Sequence, residues 1–104
     1  MAEYVIPAGA RTIRFTTAPH VVDTVTFGAN VGRVEIFSDG TADVWFTVNG
    51  AAPVAPTNGT ATAADLLPAG APAADVIATS NAQTGDVVRV LSPAATTVVV
   101  KIAR

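Results

Sequence analysis

The sequence predicts an all-β fold, a small two-sheet antiparallel β-sandwich of Ig-like or jelly-roll-like type with one long loop. Three observations carry this expectation. Apolar residues recur at every second position in short runs rich in Val, Thr, Ile and Phe, which is the period of a half-buried strand. Gly, Pro, Asn and Asp separate the runs, and turns select these residues. The most helix-friendly stretch, GTATAADLLPAGAPAAD, contains Pro68 and Pro72, and proline removes a backbone donor and interrupts a helix.

Taken in order, strands are expected at Tyr4 to Ile6, Thr12 to Thr16, Thr24 to Phe27, Arg33 to Phe37, Asp43 to Val48, Asp75 to Thr79, Asp86 to Leu91 and Thr97 to Ile102. About seven or eight short strands are what a sandwich requires. A chain of 104 residues makes one domain with a single modest core. Residues 1–9 (MAEYVIPAG) are expected to be an extended N-terminal arm whose Tyr4, Val5 and Ile6 add a strand to a neighbour's sheet edge or pair within their own domain, the ordinary outcome for sequential strands. Residues 51–74 form a long connection rich in Ala, Pro, Gly and Thr, with one turn around Ala63 to Leu67. Loops longer than ~12–15 residues are usually functional or disordered.

The stretch SDGTADVWFTVNG, Ser38 to Gly50, holds the single Trp. A two-residue turn at Asp39-Gly40 would pair Val34 with Trp45 and mix the two faces of a hairpin. A three-residue loop, Ser38-Asp39-Gly40, pairs Phe37 with Thr41 and Val34 with Val44, and puts Gly where a left-handed conformation is wanted. Val34, Ile36, Ala42, Val44, Phe46 and Val48 then share an apolar core face, and Arg33, Glu35, Phe37, Thr41, Asp43, Trp45 and Thr47 share the other. Trp45 and Phe37, flanked by Arg33 and Glu35, are therefore expected on one outer face that either meets a partner or is covered by the 51–74 loop. In the C-terminal half Val88, Val90, Val98, Val100 and Ile102 form an inward set, with Arg89 and Lys101 opposite and SPAAT as the turn between the strands.

Composition narrows the function classes. Six Lys and Arg against eight Asp and Glu give a formal net charge of -2, with no cluster of either sign, so no electrostatic footprint for nucleic acid or an anionic membrane is present. There is no Cys, hence no disulfide framework or thiolate metal site. The start MAEYVIPAGARTIRF lacks the basic and apolar regions of a secretory signal, and no apolar run approaches the ~20 residues of a membrane span. The chain is expected to be made in the cytosol.

Parts for catalysis are few. His20 is the only His and lies in the turn-like TTAPHVVD, where a surface turn residue is the expected role. Ser38, Ser80 and Ser92 sit in turn contexts without a Gly-x-Ser-x-Gly elbow. Asp39 and Asp43 in SDGTAD do not match calcium-loop spacing. Asn58-Gly59-Thr60 fits the glycosylation triplet, which without a secretory signal marks only a loop. PAGA, at Pro7 to Ala10 and Pro68 to Ala71, lacks the spacing and Lys of a phosphate loop. A non-enzyme without cofactor or metal is expected.

VEIFSDGTADVWFTVNGAAPV, then LLPAGAP, then GDVVRVLSPAATTVVVKI together resemble a small β-sandwich module common among the virion proteins of tailed bacteriophages, with its strand pair ending in a TVDG.AP-like turn, its LPAG-like turn and its closing VVKLIS-like hairpin. The likeness spans roughly Arg33 to Ile102 and lies in pattern and order. It implies a structural virion protein, and for a free-standing single domain a head decoration (cement) protein. Such a protein sits on the capsid exterior, bound to the major capsid protein as a small homo-oligomer, often a trimer. A tail or baseplate adaptor would share the fold. WFTVNGAAP is also similar to the YTTDGS.PT turn of Ig-like accessory domains of bacterial glycosidases, which implies a carbohydrate-binding module with Trp45 as platform and Asp43 or Asn49 bonding hydroxyls. Here Asn49 replaces the Asp, Ala51 replaces the Ser, and no aromatic platform follows.

Overall fold

A computed structural model of the chain describes residues 2–28, 33–78 and 83–103. Among the described residues there are nine strands and no helix: β1 (Glu3–Ile6), β2 (Thr12–Thr16), β3 (Asp23–Phe27), β4 (Arg33–Ser38), β5 (Val44–Val48), β6 (Asp65–Leu67), β7 (Ala73–Ala78), β8 (Val87–Leu91) and β9 (Thr97–Ala103). They form a five-stranded sheet in the order β1-β3-β8-β5-β6 and a four-stranded sheet in the order β2-β9-β4-β7. The protein is a two-sheet β-sandwich. Thr79, the expected end of one strand, and Ser80 lie outside the described residues.

Alternation along each strand decides the layers. Val25 and Phe27, Val34 and Ile36, Val44 and Phe46, Val88 and Val90, and Val98, Val100 and Ile102 are buried, and successive residues of a strand point to opposite faces. Ile6, Phe15 and Leu67 complete the core. At one side of the sandwich Tyr4 stacks on Phe15 across the two sheets, with ring centroids 4.8 Å apart, an offset arrangement favoured by aromatic quadrupoles.

Strand connectivity departs from the expected hairpins. β4 and β5 belong to different sheets: β4 pairs with β7 and β9, and β5 pairs with β6 and β8. Phe37 lies opposite Val99 and Ala74, not Thr41. SDGTAD is thus a crossover between layers, and Val34 and Val44 belong to opposing inner faces rather than sitting side by side. The same correction applies to SPAAT, which joins β8 of one sheet to β9 of the other. The alternation of apolar residues is identical for two strands of one sheet and for two strands facing each other, so it sorts inside from outside without choosing a partner. Val48, expected inside, is 37% exposed at the end of its strand.

Glu3–Ile6 form an edge strand of the chain's own five-stranded sheet, parallel to β3, so one pair departs from the antiparallel rule. The 51–74 segment, expected to be loop with one helical turn, instead contributes β6 and the start of β7. On that side both edge strands carry an exposed Asp at a position of inward parity: Asp65 opposite Phe46 and Asp75 opposite Ile36. A charge there opposes continuation of either sheet by another strand.

Polar groups at one end are satisfied locally. Thr17 Oγ1 donates to the Ala94 carbonyl and accepts from the Thr96 amide, both at 3.0 Å, and Ser92 and Thr96 hydroxyls pair at 3.0 Å. Ser92, expected in a turn, is buried in this network. Ser38 ends β4, also buried. His20 takes a turn conformation with φ 59 and is exposed.

Candidate functional site

Cross-strand register assembles the outer face of the five-stranded sheet row by row. Trp45 of β5 lies directly between Leu91 of β8 and Leu66 of β6. Phe46, Val90 and Leu67, next to these residues, are buried, so all three large apolar side chains point outward. Trp45 and Leu91 are half-buried and Leu66 is 39% exposed. The adjacent row is polar: Glu3, Thr24, Arg89 and Thr47 are successive partners across β1, β3, β8 and β5. Arg89 is held there by donating to the Gly50 carbonyl at 2.5 Å. Asp43, just before β5, accepts from the Ala69 amide at 2.8 Å. An apolar row with polar groups on both sides has the composition of an interaction surface.

The expected Arg33, Glu35, Phe37 and Trp45 face is not one surface. Arg33, Glu35 and Phe37 lie on the outer face of the four-stranded sheet, and Trp45 lies on the outer face of the other. The crossover between layers at Ser38 to Asp43, in place of the expected hairpin, separates them. Arg33 Nε and Glu35 Oε1 are 3.5 Å apart, a pair open to solvent. Phe37 borders a depression of about 240 Å³ with Arg14, Asp39, Thr97 and Val99. Of the N-terminal candidates, Tyr4 packs against the core and Ile6 is buried in it, while Val5 faces out at 57% exposure. Leu66 and Leu91 are absent from the expected set. Leu91 was legible as the outward residue after Val88 and Val90, whereas Leu66 depended on recognising a three-residue strand ahead of Pro68.

The connection from β5 to β6 is tied to this face at Thr47 and returns to it at Leu66, beside Trp45. Thr47 Oγ1 donates to the Ala51 carbonyl and Thr62 Oγ1 to the Val54 carbonyl, each at 2.7 Å. Between the two limbs runs a groove of about 450 Å³ lined by Thr47, Val48, Pro53, Val54, Thr62 and Ala64 among others. Trp45 is not part of its lining.

Asp39 clips the β4–β5 crossover to β9. Its Oδ1 accepts from the Thr41 amide at 2.9 Å and its Oδ2 from the Thr97 amide at 3.2 Å. These donors, Thr41 foremost, hold the carboxyl below its ordinary value, because hydrogen bonds to the charged form favour it. A depressed folded value means that the stability Asp39 contributes is present above the unfolded carboxylate range and is lost as pH falls through the folded value. Denaturation midpoints of wild type and Asp39→Asn should therefore differ at neutral pH and converge on acidification. A constant gap would mean that the charge plays no part.

Among the described residues no group of three or more His, Asp or Glu is placed to hold a metal ion. No family model and no curated protein matches the chain. Among solved structures it is similar to the pre-peptidase C-terminal domain of a collagenase from Bacillus anthracis, at 14% identity and TM-score 0.49, over 99% of this chain and 95% of that one. It is also similar to PliG, a periplasmic inhibitor of g-type lysozyme from Aeromonas hydrophila, at 12% identity and TM-score 0.47, over 99% of this chain and all of that one.

Proposed function

We propose that the protein is a non-enzymatic structural protein of a phage virion, a capsid decoration (cement) protein that binds the outside of the head as a small homo-oligomer, with a trimer favoured, and stabilises it through contacts with the major capsid protein. The virion setting rests on the sequence resemblance. The observation that carries a docking role is the outward row Leu66, Trp45 and Leu91 with its polar borders, in a chain of which only 13% is charged. Extensive permanent contacts favour such a surface, since apolar area removed from water supplies their free energy. A glycan platform has less support, because Asn49 and Asp43, the residues that would bond hydroxyls, already hold the Val87 and Ala69 amides.

The deciding measurement is the mass of the purified protein in solution, alone and with expanded, undecorated heads. A discrete oligomer that loads onto heads at a fixed ratio is expected. A monomer indifferent to heads, or one that sediments with tails, overturns the proposal. Trp45→Ala should fold and load with about 2 kcal/mol weaker affinity, roughly thirtyfold, as for a central interface aromatic. Phe37→Ala, on the opposite sheet, should load normally. The reverse result would move the docking surface to the four-stranded sheet.

A further inference from the structure

The chain contains two Asn-Gly pairs, Asn49-Gly50 and Asn58-Gly59, and the fold treats them in opposite ways. Asn-Gly is the dipeptide in which the following backbone nitrogen most readily reaches the side-chain amide carbon, because Gly has no Cβ to obstruct the approach and is conformationally free.

Asn58 and Gly59 are the central residues of an exposed turn closed by the Thr60 amide donating to the Thr57 carbonyl at 3.0 Å. Gly59 has φ 83 and open space around its Cα. Among the described residues no hydrogen bond engages the Asn58 side chain. Asn49, with φ 53, is clamped across the sheet. Its Oδ1 accepts from the Val87 amide at 2.8 Å, its Nδ2 donates to Asp86 Oδ1 at 3.2 Å, and its own amide donates to the Val87 carbonyl at 2.7 Å. Cyclisation would require Asn49 to release the first two bonds so that its amide carbon could turn back toward the Gly50 nitrogen.

We propose that Asn58 is a site of spontaneous deamidation and that the same dipeptide at Asn49 is protected by its clamp. The Gly59 nitrogen attacks Asn58 Cγ, a C–N bond forms, and the amide nitrogen leaves as ammonia with the proton from Gly59. One water then opens the cyclic imide at either carbonyl, giving Asp or isoaspartate at position 58. No electron transfer is involved. The product adds one negative charge to a chain of formal charge -2. The isoaspartate form also lengthens the backbone inside the turn closed by Thr57 and Thr60.

The test is incubation of the full chain in mildly alkaline buffer, folded and in concentrated urea, with peptide mapping by mass spectrometry and enzymatic methyl labelling of isoaspartate. In the folded chain Asn58 should convert at least about tenfold faster than Asn49, equivalent to about 1.4 kcal/mol of barrier; in urea the two should convert at similar rates. Equal rates in the folded chain, or conversion of neither when folded and both when unfolded, overturns the proposal. Asp86→Ala, which removes one arm of the clamp, should speed conversion of Asn49 and leave Asn58 unchanged. The comparison of folded and urea-treated wild type decides the matter even if that variant does not fold.

Discussion

Phe46→Asp is expected to leave no cooperatively folded protein. Phe46 is 1% exposed and lies between Val90 and the short β6 strand, on the inner face of the five-stranded sheet. Deleting such a side chain costs about 3–5 kcal/mol through lost transfer energy and the cavity left behind. A carboxylate in its place adds the cost of an unpaired buried charge, against a total stability of only about 5–15 kcal/mol for an ordinary domain. Phe46→Ala should therefore be strongly destabilised but measurable, and Phe46→Asp should show neither a denaturation transition nor β-sheet dichroism. Trp45→Ala, one residue away on the outer face, should keep a cooperative transition. If Trp45→Ala loses stability as severely as Phe46→Ala, the assignment of inner and outer faces is wrong.

Gly40→Ala is the second large effect. Gly40 sits in the crossover from β4 to β5 with φ 82, and a Cβ there would lie 2.4 Å from both the carbonyl carbon and the oxygen of Ala71. The contact is backbone against backbone: the Gly70 amide donates to the Gly40 carbonyl at 3.0 Å, joining this crossover to the β6–β7 connection. Alanine would have to adopt a left-handed conformation, costing about 1–2 kcal/mol, and also push the two connections apart. A total loss of about 3–5 kcal/mol, in the range of severe point mutants, is expected. Gly59→Ala supplies the control, since its φ of 83 is the same but nothing lies within 4 Å; only the conformational cost applies. Equal losses in urea denaturation of the two variants would show that Gly40 and Ala71 are not in contact.

The two variants mark how far the sequence could be read. The buried status of Phe46 follows from its place in the DVWFTV alternation, and so do those of Val34, Ile36, Val88, Val90, Val98 and Val100. Gly40 was legible as a left-handed loop residue, but the reason it tolerates no side chain is Ala71, a residue from another connection. The outward position of Trp45 was likewise legible, whereas its companions were not. Arg33, Glu35 and Phe37 would accompany it only in a hairpin, which the crossover replaces, and Leu66 gives no sequence signal because β6 has three residues, too few to display a period.

Local alternation, turn residues and prolines were sufficient for an all-β chain, for eight of its strands and for the inward side of β4, β5, β8 and β9, because these properties depend on each residue's own preference for water and on its immediate backbone. Strand partners are a different kind of information. An apolar strand loses water equally well beside another strand or across from it, so the choice between hairpin and crossover rests on long-range contacts: β4 with β9, β5 with β8, and the two crossings that meet at Gly40 and Ala71. Those contacts separate Trp45 from Phe37 by the full thickness of the sandwich and bring Leu66 and Leu91 to either side of the indole.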